Sequence, residues 1–203
     1  MRLIYLNGKG KNMKGINLAT QKLYEFSSYE QRDLESKKCV FLSHRNADKD
    51  KVLKIGEYIK NAGLNIYLDV NDSDLQVAVT AQNAKKITEC IQRGLSFSNY
   101  MICAISSNTF DENSWWVPYE IGYSDKEKKE CCLLKLSNLK KDQIPEYLKI
   151  KQILYNISDL NKKIKAWSTN VNEWSAKGIY SLREGLLSET ATDHVLVNIL
   201  DRV

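Results

Sequence analysis

Five short apolar runs recur along the middle of the chain, each bounded by charged or polar residues, at 38–43, 64–69, 100–105, 131–136 and, most weakly, 150–155. Runs of this length, bounded by turn residues, read as strands buried on both faces. Between the first two, Val52, Ile55, Ile59 and Ala62 fall at helical spacing over residues 48–61, and Gly63 supplies a stop. Ala84, Ile87 and Ile91 repeat that spacing over residues 81–94, with Gly94 as the stop. Residues 70–79, rich in Asp, Asn and Ser, read as a loop. Another helix opens near Trp116 and runs to about Lys128, and a loop through Pro145 leads to the fifth strand. Strands alternating with helices across short connections predict parallel βαβ units in a doubly wound sheet.

The two ends are less regular. Residues 3–6 form a short apolar run, and Ile16, Leu23 and Phe26 give residues 16–34 a near-helical spacing. Gly10 and Gly15 have the spacing of a phosphate-binding loop. Ile16 and Asn17, however, stand where Lys and Ser or Thr would hold phosphate and magnesium, so residues 8–15 read as a basic turn. Beyond the last strand, Leu160, Ile164, Trp167, Val171 and Trp174 keep helical spacing until Gly178, and residues 189–203 carry Val195, Leu196, Ile199 and Leu200. Both segments are expected to be helices that cover the sheet.

Composition narrows the classes. The chain has 203 residues, 43% hydrophobic and 27% charged, which suits one domain with additions. Its net charge of +5 is spread rather than clustered and fits an anionic small ligand better than nucleic acid. The five cysteines include no CxxC pair and mostly sit in apolar runs, as expected of buried thiols in a reducing compartment. With only His44 and His194, no metal site is expected. The apolar run near the N-terminus is too short for a signal peptide, and no segment approaches the roughly 20 apolar residues of a membrane span. A cytoplasmic protein without membrane contact is expected.

The candidate chemistry lies in residues 113–124. Asn113 or Ser114 can cap a helix, Pro118 fits its first turn, and Trp116, Glu120 and Tyr123 or Ser124 fall on one face. A carboxylate among aromatic rings is either a satisfied core residue or a site for a flat ligand bearing hydroxyls or positive charge. Right-handed crossovers bring the C-terminal strand ends to one rim, with Ser43, His44, Arg45, Asp69 and Ser106 near the Trp116 helix, which favours a site. Asp69 at a strand end equally suits a loop cap, and Ser43 can satisfy backbone alone.

Phe41 to Arg45 after the first strand, Ile66 to Asp69 at the second, Ser106 and Ser107 after the third, and Trp116 to Glu120 resemble, as an ordered set, the TIR domain over about residues 38–155. The resemblance implies a flavodoxin-like three-layer α/β sandwich with a five-stranded parallel sheet and flanking helices. It divides the chain into an N-terminal extension, 1–36, the TIR domain, 37–156, and a C-terminal helical extension, 157–203. Some TIR domains are scaffolds. Others cleave NAD+ at the nicotinamide–ribose bond, and those keep a glutamate four residues after a tryptophan, the pattern of Trp116 and Glu120. As a short standalone chain it also resembles the TIR component of bacterial Thoeris antiphage defence, which makes an ADP-ribose-derived signal for a separate effector.

On that resemblance Glu120 is the catalytic residue. Ser43, His44, Arg45, Asp69, Ser106, Trp115 and Trp116 are expected to bind NAD+, which is substrate rather than cofactor. His44 stands where the family often has Tyr and is read as a rim hydrogen-bonding group, not a general base. The resemblance also implies a homo-oligomer formed through the loop 70–79. The alternatives are a non-catalytic TIR adaptor and an enzyme like the nucleoside deoxyribosyltransferases, with Glu120 as nucleophile.

Overall fold

The computed structural model describes residues 14–20, 37–110, 115–168 and 194–201. Five strands form its sheet, β1 Cys39–Ser43, β2 Asn65–Tyr67, β3 Tyr100–Ile105, β4 Glu130–Lys135 and β5 Gln152–Leu154, all parallel in the order β2-β1-β3-β4-β5. The helices between and after them are α1 Lys49–Asn61, α2 Ser73–Thr80, α3 Ala84–Phe97, α4 Trp116–Lys126 and α5 Ile157–Ser168. β1 to β4 are largely apolar because they are covered on both faces, whereas the edge strand β5 leaves Gln152 exposed. The expected parallel α/β sandwich is what the chain adopts.

Alternating residues of the strands divide the core. Val40, Leu42, Ile102, Ala104, Cys132 and Leu134 pack against Val52, Ile55 and Ile59 of α1 and Leu160, Ile164 and Trp167 of α5. Phe41, Met101, Cys103, Ile105 and Leu133 pack on the other side, against Ile91 and Leu95 of α3 and Val117 and Ile121 of α4. All five cysteines are free and buried. The chain runs from β1 outward to β2, then returns across β1 to β3. The direction of winding therefore reverses between β1 and β3, and the crevice beyond their C-terminal ends is the usual ligand position in such sheets.

Four local expectations are corrected. Residues 70–79 are not an open loop: a short turn, Asp69–Asn71, leads directly into α2. Asp72 caps that helix, its Oδ1 accepting from the backbone N–H of Asp74 and Leu75. Gly94 does not stop α3, which runs on to Phe97. It is a packing glycine, since a Cβ there would lie 2.3 Å from the Tyr67 ring. Gly63, by contrast, does follow α1 with a positive φ of 92°, as a helix stop requires.

Residues 16–20 do not begin a helix of the expected kind. Ile16 accepts from the N–H of Ile66, Asn17 bridges to Ile66 in parallel, and only a 3-10 turn, Leu18–Thr20, follows. The start of this segment therefore lines the outer edge of β2. Residues 194–201 are a series of turns rather than a helix. Leu196, Ile199 and Leu200 still enter the core on the α1 and α5 side. The segment is held by Asp201, whose carboxylate pairs with Lys135 at 2.9 Å and whose carbonyl accepts from the Ile157 N–H at 3.0 Å. The apolar run 3–6, most of the basic turn 8–15, the remainder of the 16–34 segment, the caps Asn113 and Ser114, and Val171, Trp174 and Gly178 lie outside the described residues.

Candidate functional site

Ser43 is the last residue of β1 and points to the same side as Cys39 and Phe41, toward α4. On α4, Val117, Glu120, Ile121 and Ser124 are buried against the sheet. These two placements bring together side chains 77 positions apart, and the Ser43 hydroxyl donates to Glu120 Oε2 at 2.5 Å. Glu120 is 4% exposed. Burial pushes its carboxyl up to about 8; the negative charge of Asp69 adds to the rise and the Ser43 hydrogen bond opposes it. Cys103, in register with Ser43 on β3, lies behind this pair, and burial raises its thiol.

Asp69 opens the turn after β2 on the same rim. Its side chain is 25% exposed, yet Oδ1 is sealed and has no hydrogen-bond partner among the described residues. Burial raises its carboxyl, as does the charge of Asp72, while His44 and backbone N–H groups oppose the rise. His44 Nδ1 lies 3.7 Å from that orphaned oxygen and 3.3 Å from the Leu42 carbonyl oxygen. Glu120 and Asp69 thus share one end of the sheet, one fixed by a serine and the other with an acceptor that no described residue fills. Such an arrangement suits a ligand that brings hydroxyl donors and developing positive charge.

The remaining expected residues divide. Arg45 is half-buried and precedes the short turn Asn46–Asp48 that leads into α1. Trp115 and Trp116 stand outward at the start of α4, 77% and 41% exposed, and Trp116 meets the Tyr119 ring edge-on at 6.0 Å. Ser106 does not join Glu120. It is fully buried, and its hydroxyl donates to Asp48 Oδ2 while accepting from the Asn108 N–H. Its part at this rim is to hold the β3 and β1 ends together.

Sequence reasoning missed the support behind Asp69. The Tyr67 hydroxyl donates to Asp72 Oδ2, and Arg93 of α3 reaches Asp72 at 3.0 Å and Asp74 at 2.9 Å. These contacts pin α2 to α3 directly after Asp69. The signal that could have found them is Asp72 directly before Ser73, a helix-capping position inside a stretch that composition marks as loop. Among the described residues, no three His, Cys, Asp or Glu side chains converge as a metal site, and no helix is long and apolar enough to cross a membrane.

The sequence model of the TIR domain family matches residues 40–173. Over 126 residues the chain is 28% identical to a Bacillus cereus (strain MSX-D12) protein named probable 3′ cyclic ADP-D-ribose synthase ThsB′, an alignment covering 56% of this chain and 63% of that relative. The match therefore spans less than two thirds of the relative's length.

Proposed function

The chain belongs to the TIR domain family, and from that premise we propose that it cleaves NAD+ at the nicotinamide–ribose bond and converts the remainder into an ADP-ribose-derived signal. The observation that carries this reading is the sealed Ser43–Glu120 pair at the point where the sheet reverses its winding. The nicotinamide of NAD+ is already a cationic leaving group. Its departure needs little acid catalysis and much stabilisation of an oxocarbenium-like ribose. Glu120 supplies the negative charge, in surroundings where water does not screen it. Its carboxyl is raised while the site is empty, and a cationic ribosyl group draws it back to the ionised form. Ser43 fixes the orientation of the carboxylate.

Asp69 and His44 face the ribose hydroxyls, Arg45 pairs with the diphosphate, and Trp115 or Trp116 stacks a base, worth roughly 0.5–1.5 kcal/mol beyond burial. Ser106 supports this set from beneath. NAD+ is substrate and no cofactor is required. The name of the relative favours a cyclic product. A cytoplasmic setting and a role in Thoeris-type antiphage defence, with a separate effector reached through the messenger, belong to the same proposal and rest on the family resemblance of the sequence. Val77 and Val79, exposed on α2, favour self-association through residues 70–79. The same exposed surface is what a non-catalytic adaptor would use. Incubating the purified chain with NAD+ and taking mass spectra of the products separates the two. The enzyme reading expects free nicotinamide and an ADP-ribose-derived partner product, and absence of both at high protein concentration favours the adaptor.

A further inference from the structure

We propose that Asp69 is a second catalytic carboxylate, which takes the proton from the hydroxyl or water that captures the ribosyl group, and that His44 is the residue that positions it. This rests on the NAD+-cleaving reading and assigns it a step that Glu120 does not perform. Glu120 is sealed and already accepts a hydrogen bond from Ser43, which suits it to stabilise charge rather than to exchange protons with an incoming group. Asp69 differs in each respect. A quarter of its side chain is exposed although Oδ1 is sealed, so the accessible surface lies on the rest of the group. Capping of α2, the ordinary duty of an aspartate after a strand, falls to Asp72 instead. Burial raises the Asp69 carboxyl above its ordinary value, which makes it the stronger proton acceptor when ionised. His44, its side chain 2% exposed and its Nδ1 3.7 Å from Oδ1, is the neighbour that opposes this rise and holds the carboxylate in place.

The step balances without an added reactant. The bond from the ribose C1 to the nicotinamide nitrogen breaks, and its electron pair leaves with neutral nicotinamide. A lone pair of the capturing oxygen forms the new bond to C1, and the O–H proton passes to Asp69, which returns it to water. When the capturing oxygen is a hydroxyl of the same nucleotide, the product is cyclic; when it is water, the product is ADP-ribose.

Azide is already an anion at neutral pH and carries no proton to remove, so it captures the ribosyl group without a base. The test is turnover of NAD+ by the full chain with and without azide, in wild type, Asp69→Asn and His44→Gln. Asp69→Asn is expected to lower formation of cyclic product and ADP-ribose by about 100-fold, within the roughly 10²–10⁴-fold worth of a general base, and to keep azide capture within about threefold. His44→Gln is expected to give the same selective loss at about tenfold, which keeps the question answerable if Asp69→Asn does not fold. Oxygen and azide capture falling together, or neither falling, overturns the assignment while leaving NAD+ cleavage intact. No nicotinamide from wild type overturns both.

Discussion

Two buried carboxylates stand at the same end of this sheet in opposite circumstances. Asp48, with no exposed surface, accepts from the Ser106 hydroxyl, from Asn108 Nδ2 at 3.2 Å and from Lys51 Nζ at 3.0 Å. Glu120, equally withdrawn, has one hydroxyl donor and a second carboxylate nearby whose charge opposes its ionisation. The first is matched by donors and a cation, as a group that holds structure is. Among the described residues the second faces no cation, and a ligand can supply one. Burial alone does not mark a functional acid; what faces it does.

The comparison can be broken most severely at Asp48. Asp48→Ala removes the acceptor shared by Ser106, Asn108 and Lys51. Breaking such a buried pair costs roughly 3–5 kcal/mol, partly relieved here because Lys51 is one third exposed. A fall in Tm of about 10 °C is expected by calorimetry, at the roughly 2–4 °C per kcal/mol of a domain this size. A change under about 2 °C would remove the contrast between the two acids.

Glu120→Gln is expected to move stability the other way. The folded carboxyl sits at about 8 against an ordinary 4.5, so between those values the folded chain holds a proton that the unfolded chain has lost. Stability present at acid pH is therefore lost as pH rises through this window. Glutamine does not ionise, so at pH 8 the variant should melt about 2–6 °C above wild type, the gap closing near pH 5. Equal melting curves at both pH values would count against a sealed, cation-free Glu120. The smallest effect belongs to the rim. Trp115→Ala should raise KM for NAD+ by about 2- to 10-fold at nearly unchanged kcat, the size of one exposed stacking contact. A large loss of kcat would put Trp115 closer to the reacting bond than its outward position suggests.

The sheet was legible because a parallel strand covered on both faces is a near-continuous apolar run, and helical spacing between such runs leaves few topologies. Residues 70–79 were misread because α2 is short and carries only Leu75 and Ala78 inward, while Val77 and Val79 face out. Two inward positions make no stripe, and Asp72 looks like loop composition until its capping bonds are seen. Gly94 was misread because the same residue type serves as a helix stop and as room for a ring. Leu196, Ile199 and Leu200 have helical spacing but lie in turns, in a segment whose Ile199 and Asp201 carbonyls accept from the N–H groups of Ser137 and Ile157. At the rim, strand ends and the Trp116–Glu120 spacing were enough to propose Glu120. No local pattern could pair it with Ser43, 77 positions away, or send Ser106 to Asp48 instead.

The most direct measurement is nicotinamide release from NAD+ by the wild-type chain and by Glu120→Gln, side by side near pH 8 with both shown to be folded. The account predicts release by wild type, matched mole for mole by an ADP-ribose-derived product, and a loss of roughly 10²–10³-fold or more in the variant, the scale of removing one electrostatic stabiliser of a transition state. Equal release from both proteins would contradict it, and so would no release from the wild-type chain.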